Sequence, residues 1–272
     1  MSDRARWQGM DETPPENSPK IPEPSPVEKP EAPTRQDHAP RVSQIVFGIL
    51  FVLVLLNWAA MHFGLIKVPP NIAPWDNPRL DARPGMFAHF QIQRLREDRQ
   101  ACLGVLDQAR ELSYTPLADM TAGPGCGFTN VVRDTHTPVA FNTRPVATCA
   151  LSAAIYWWQR DVQRLAKQQL HTTIKRIDQL GTYACRNIDN AATGARSEHA
   201  TANAIDIEGF ETADGRKITV KDDWLKPTPE GRFLRSAHDS ACGVFGEVLG
   251  PDYDSFHANH FHLDEAAWMV CR

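Results

Sequence analysis

Between Arg41 and Lys67 the chain runs for 25 residues, Val42 to Ile66, without one Asp, Glu, Lys or Arg. A helix of that length spans about 37 Å, enough to cross the hydrocarbon core of a bilayer with some tilt. A helix buried in a soluble domain nearly always shows a polar stripe over such a length, and this run shows none. Its apolar core starts deep in the chain, and no small-x-small cleavage site follows Leu56. The run therefore reads as a transmembrane anchor rather than a signal peptide. Trp58 falls towards one end, where interface aromatics gather.

The anchor separates parts of unlike composition. Nine of the 21 prolines lie in the first 40 residues, and Lys20 to Pro40 alternates proline with charged and small residues. Such a stretch has nothing to bury, so residues 1–41 are predicted to be a disordered spacer. Residues 67–85 (KVPPNIAPWDNPRLDARPG) read as a second Pro-rich linker, leaving 86–272 as the globular domain. Hydrophobic residues at 42% exclude a wholly disordered chain. A net charge of −4 with no basic block gives no footing for nucleic acid.

Basic residues do not orient the anchor: Lys29, Arg35 and Arg41 precede it, and Lys67, Arg79 and Arg83 follow. Cysteine does. All six (Cys102, Cys126, Cys149, Cys185, Cys242, Cys271) come after the anchor. An even number confined to one side suits an oxidising compartment, with up to three bridges among about 15 possible pairings. The tail is thus predicted to be cytoplasmic and the domain to lie beyond the inner membrane. No C-x-x-C pair occurs, which disfavours a cysteine zinc site.

Within the domain, helical spacing runs through Met86–Leu112. It is clearest over Ala150–Leu170, where Leu151, Ile155, Trp158, Val162 and Leu165 fall on one face. A third helix is predicted over Glu230–Leu249, stopped by Gly250-Pro251. Thr172–Ile177, Thr182–Cys185, Ala204–Ile207, Lys217–Val220 and Phe261–Leu263 read as strands, with a hairpin turn at Asp214-Gly215. The expected fold is α+β, a small and mainly antiparallel sheet with flanking helices, preceded by a single transmembrane helix.

Chemistry concentrates in two short runs, Ser197–Asp206 (SEHATANAID) and His257–Asp264 (HANHFHLD). On a strand, His260 and His262 project to one face while Phe261 and Leu263 face the core. If Ala204–Asp206 is a strand reached through a tight loop, His199 and Asp206 can meet at one point. Two imidazoles and a carboxylate form the ligand set of a catalytic zinc site with one open position. Ser197 lacks a G-x-S-x-G elbow, so a serine hydrolase is a weak reading.

The first run resembles the S-x-H-x-x-G-x-A-x-D motif of the LAS metallopeptidases, which include lysostaphin and the D-Ala-D-Ala carboxypeptidases. The second resembles the H-x-x-H-x-H run of murein endopeptidases in that group. Tyr183-Ala-Cys-Arg186, Ser197–Phe210, Ala213-Asp-Gly-Arg216, Phe233-Leu-Arg235, Gly250-Pro-Asp-Tyr253 and Cys271-Arg272 are similar to the bacterial extensin-like C-terminal domain family. That resemblance spans roughly residues 95 to 272.

The resemblance implies zinc at His199, Asp206 and His262. It places His260 beside the reacting water as base or oxyanion stabiliser, with His257 as a further active-site histidine. Arg186 is implied as a holder of a substrate carbonyl or carboxylate, against the plainer reading of a surface salt bridge. Ser197 and Asp264 would orient ligands, while Glu198 and Glu208 would be solvated. Two positions depart from the pattern. Ala202 stands where the motif has Gly, on the expectation that φ need not be positive there. Asn259 stands where the carboxypeptidase branch has its Glu base, which favours the endopeptidase-like mechanism.

The expected function is a zinc peptidase of the bacterial inner membrane, its domain periplasmic, hydrolysing peptidoglycan peptides. Against it stand an inactive zinc-containing module that binds cell wall or protein, and a scaffold held by disulfides alone.

Overall fold

The computed structural model describes residues 39–66 and 71–272. The expected disordered tail lies outside the described residues up to residue 38, as do the first four residues of the expected linker. The described chain divides into two units, one ending at Ala60 and one from Met61 to Arg272.

The first unit holds helix α1 (Ala39–His62) as far as Ala60. Within it Val42–His62 is long and apolar enough to cross a membrane, consistent with a single-pass anchor. Its large side chains, such as Phe47, Phe51 and Leu56, are exposed. The helix begins three residues earlier than the charge-free run and ends four residues short of Ile66. Gly64, at φ +69°, turns the chain out of it.

The second unit starts before residue 86. Asn71 is buried, and its side chain accepts from Arg79 N and donates to the carbonyls of Arg79 and Arg83. Leu80 is fully buried, and Trp157 donates its indole N–H to Ala82 O. Residues 71–85 are therefore part of the folded domain rather than a linker, because Leu80 seals its core.

The predicted helix over 86–112 is two short ones, α2 (Ala88–Arg94) and α3 (Arg99–Leu106). Asp98 breaks the run by accepting from Ala101 N as the N-cap of α3. Six short strands follow that the pattern did not reveal: β1 (Ser113–Pro116), β2 (Met120–Gly123), β3 (Cys126–Phe128), β4 (Val131–His136), β5 (Ala140–Phe141) and β6 (Val146–Thr148). Their burial is uneven, from the exposed β2 to the mostly buried β3 and β4, and gives no clean alternation to read.

Helix α4 (Cys149–Gln169) matches its prediction, capped by the Thr148 hydroxyl on Leu151 N. Its stripe from Leu151 to Leu165 is buried, and each large apolar side chain contributes about 2 kcal/mol. It packs against α6 (Pro229–Ala241), where Trp158 donates to Ala237 O.

The remaining elements are β7 (Ile174–Gly181), β8 (Ala204–Thr212), β9 (Lys217–Thr219), α5 (Val220–Asp223), β10 (Glu247–Leu249), β11 (Phe261–Asp264) and β12 (Val270–Cys271). The main sheet orders β12-β10-β11-β8-β7-β5, with β9 beside β8. Its pairings are antiparallel except β10 with β12 and β5 with β7. The domain is α+β, as expected.

Two predictions fail locally. The third helix stops at Ala241, and Glu247–Leu249 is a strand. At Gly246 a Cβ would lie 2.1 Å from Ala266 O, so only glycine lets the chain pass there into the sheet. Thr182–Cys185 is irregular, drawn off the sheet by Ala184 N donating to His199 O and by a disulfide. The six cysteines pair as Cys102–Cys149, Cys126–Cys185 and Cys242–Cys271, leaving none free.

Candidate metal centre

Three ligand atoms converge where β8 and β11 pair. His262 sits directly across from Asp206, and the register runs from Phe261↔Ile207 to Asp264↔Ala204. His199 comes from a separate turn, the 3-10 helix Glu198–Thr201 that leads into β8. Ser197 caps this turn, its hydroxyl accepting from His199 N at 3.3 Å.

Ala202 closes the turn at φ +55°, ψ +31°. The expectation that this position avoids positive φ is thus incorrect. A left-handed alanine costs about 1 kcal/mol or more, here offset by Ala202 N donating to His199 O and Thr148 N donating to Ala202 O.

The separations are His199 Nε2 to Asp206 Oδ1 3.1 Å, His262 Nδ1 to Asp206 Oδ1 3.0 Å, and His199 Nε2 to His262 Nδ1 3.3 Å. Ligands about 2.0–2.1 Å from a tetrahedral zinc lie about 3.3 Å apart. The triangle therefore fits one face of such a site to within a few tenths of an ångström.

The outer ring nitrogens show the same arrangement. Thr182 O can only accept, so His199 Nδ1 donates to it at 3.3 Å and Nε2 keeps its lone pair for a metal. His262 Nε2 faces Asp264 Oδ2 at 3.1 Å, which directs Nδ1 inward. Asp264 is held in turn by Ala266 N on its other oxygen. All four side chains are buried or nearly so.

Without metal, burial pushes the Asp206 carboxyl up, but its interactions with the His199 and His262 rings outweigh it and hold the group far below the ordinary range. Burial pushes His262 down, and its bonds to Asp206 and Asp264 overcome this, raising it to about 10. A cation held there would take the place of the proton on His262 Nδ1.

His260 and His257 flank the triangle. His260 stands just before β11 with Nε2 3.6 Å from Asp206 Oδ1, so His260 and His262 do reach the same point. Burial, partly opposed by Asp206, lowers the His260 pKa. The His257 ring is 5.3 Å from that of His260 and 5.9 Å from that of His262, and its Nδ1 bonds Asp254 Oδ1 at 2.8 Å. His257 is thus one row further out.

Arg186 lies on the same loop, its carbonyl accepting from Ser197 N. Its guanidinium forms no hydrogen bond or ion pair among the described residues, so the surface salt bridge is not made. Glu208 is exposed, as expected. Glu198 is not simply solvated: Asn203 donates to it, and Arg96 Nη2 lies 3.8 Å away.

Sequence reasoning missed Thr182, which acts through its carbonyl and leaves no side-chain signal. It also missed Asn203 and Thr148, which lace the His199 turn to the start of α4. A second group, His238, Cys242 and Cys271, also comes together, but its sulfurs are joined as a disulfide.

This is an α+β domain carrying a His-Asp-His cluster able to hold a metal. Residues 100–272 match the family described as Extensin-like protein C-terminus, and the chain belongs to that family. No curated protein and no solved structure matches it.

Proposed function

We propose that the protein is a zinc-dependent peptidase that hydrolyses amide bonds in peptidoglycan peptides, anchored in the bacterial inner membrane by α1 with its domain in the periplasm. The observation that carries this reading is the triangle of His199 Nε2, Asp206 Oδ1 and His262 Nδ1, with edges of 3.0–3.3 Å. Two neutral imidazoles and one carboxylate are a catalytic zinc set that leaves a fourth position open. The pairing of all six cysteines agrees with an oxidising compartment.

When bound there, zinc supplies Lewis acidity toward water and a substrate carbonyl. The chain's own residues do the rest. Asp264 and Thr182 O hold the two imidazoles in the tautomers that ligate. His260, neutral and at the edge of the triangle, takes the proton of the attacking water on Nε2 and returns it to the leaving amine. His257, steadied by Asp254, lies behind it as a further histidine of the site. The Arg186 guanidinium, without a hydrogen bond or ion pair among the described residues, is available to a substrate carboxylate.

The second reading is a non-catalytic zinc module that binds cell wall or protein, and it turns on whether the histidines transfer the proton. Asn259 occupies the place of a carboxylate base, so proton transfer falls on histidine alone. Metal analysis of the full-length protein in detergent, with digestion of purified muropeptides, separates the two. About one zinc per chain, lost in His199→Ala/Asp206→Ala, with muropeptide cleavage lost in His260→Ala, supports the peptidase. Full zinc occupancy with no turnover leaves the binding module, and a well-folded protein without zinc overturns both.

A further inference from the structure

A cleft of about 430 Å³ borders the turn that carries His199. Arg96 and Glu97 form one side, the β2–β3 hairpin with Thr121 and Phe128 the other, and Thr148 and Asn203 line it from the domain. The volume lies in the range of sites for small organic ligands, enough for two or three peptide units.

The two charged residues differ in how they are employed. Glu97 is exposed and makes no hydrogen bond or ion pair among the described residues. Arg96 is steered into place: its Nη1 donates to Gln93 Oε1 and Glu265 O, its Nη2 lies 3.8 Å from Glu198 Oε2 without a hydrogen bond to it, and its side chain stays about one-third exposed. A fixed guanidinium beside an unengaged carboxylate complements a ligand that carries a carboxylate and an ammonium on one carbon.

The hairpin supplies main chain. β2 is exposed along its length and pairs only with β3 among the described residues, so its outer edge offers unbonded N–H and C=O groups to an extended peptide. At Gly127 a Cβ would fall 2.2 Å from Met120 O, so glycine is what lets the two strands close. The hairpin is tied to the centre by Cys126–Cys185 and by the Phe128 and Tyr183 rings, 5.4 Å apart edge to face. Asn203 stands just before β8 and precedes Asp206 by three residues, about 10 Å of extended chain.

We propose that this cleft is a binding subsite for a short peptide ending in a zwitterionic amino-acid head, the head between Arg96 and Glu97 and the backbone along the hairpin. The cleft stands on its own geometry; only the choice of a wall-derived peptide rests on the peptidase reading.

The test is calorimetry on the zinc-loaded full-length protein in detergent. The probe is the tripeptide L-Ala-γ-D-Glu-meso-diaminopimelate, compared with a form amidated at the diaminopimelate carboxyl whose carbon bears the free amine. The tripeptide is expected to bind, and amidation or Glu97→Gln to weaken it about tenfold, one lost charge contact. Thr121→Trp, at an exposed position, is expected to block the cleft and abolish binding without altering zinc content or melting temperature. Equal binding of the amidated form, unchanged binding to Thr121→Trp, or no binding at millimolar tripeptide overturns the proposal. Binding without muropeptide turnover sinks the peptidase reading and leaves the cleft. Full turnover by Thr121→Trp does the reverse.

Discussion

His262 on β11 stands directly opposite Asp206 on β8, and its Nδ1 lies 3.0 Å from the carboxylate Oδ1. The sheet register itself thus brings two candidate ligands together from positions 56 residues apart. Only His199 needs a loop to reach them. A one-residue slip of β11 would turn Phe261 to the centre and His262 to the core, so burial of Phe261 and Leu263 enforces the ligand geometry.

Asp264 should tune the metal without binding it. Asp264→Asn removes the negative partner of His262 Nε2 while keeping the shape, and zinc affinity should fall about 10–100-fold. His262→Ala should lose zinc altogether. Competition with a chelating dye measures both, and wild-type affinity in Asp264→Asn would show that this carboxylate does not orient the ligand.

Removing the metal should cost stability. A bound ion stabilises the native state by mass action, by about 4 kcal/mol at a thousandfold excess over its dissociation constant. Chelation should therefore lower the melting temperature by about 8–16 °C, and added zinc should restore it. The same treatment of His199→Ala/Asp206→Ala should change nothing, which calorimetry can establish.

Ala202→Gly should behave unlike an ordinary glycine substitution. Relief of the left-handed alanine offsets the extra chain entropy of glycine. Denaturant unfolding should show no loss, or a gain of up to about 1 kcal/mol. A loss of about 1 kcal/mol or more would mean that alanine is unstrained at φ +55°.

Asp134 sets a pH dependence remote from the centre. It is buried beside Ser152, and burial raises its carboxyl from 3.8 to about 7, with the Ser152 hydrogen bond opposing. The native carboxyl keeps its proton where the unfolded one has lost it. Its contribution is thus present in full below pH 3.8 and declines as pH rises to about 7. Glu265, raised from 4.5 to about 7 by burial with His89 opposing, acts in the same direction over the upper part of that window. Asp134→Asn should flatten this slope, with a ceiling of about 4 kcal/mol. Unfolding curves from pH 4 to 8 read it directly, and an unchanged slope would place the titration elsewhere.

Leu80 tests where the domain begins. Leu80→Ala should cost about 2–5 kcal/mol, the usual price of emptying a core site. An effect within about 0.5 kcal/mol would return residues 71–85 to a linker.

Some of this was legible in the residues. The charge-free run announced α1, the stripe of α4 survived folding, and alternation correctly joined His260 and His262. The motif runs named the three atoms that converge. The breaks were less visible. The helical spacing of Phe245 and Val248 concealed a strand, because what ends α6 is the need for Gly246 to pass close to Ala266 O, a neighbour 20 residues away. The proline-rich look of residues 71–85 concealed Leu80, since composition does not report one buried side chain.

Local periodicity and short motifs, being properties of neighbours in the chain, determined the apolar span, the central helix, the α+β class and the identity of the candidate ligands. Tertiary structure alone decided the disulfide pairing, the left-handed Ala202, the Thr182 carbonyl behind His199 and the cleft between Arg96 and the hairpin. Each of these is a contact between segments far apart in sequence, and such contacts exist only once the sheet register and the packing of α4 have brought them together.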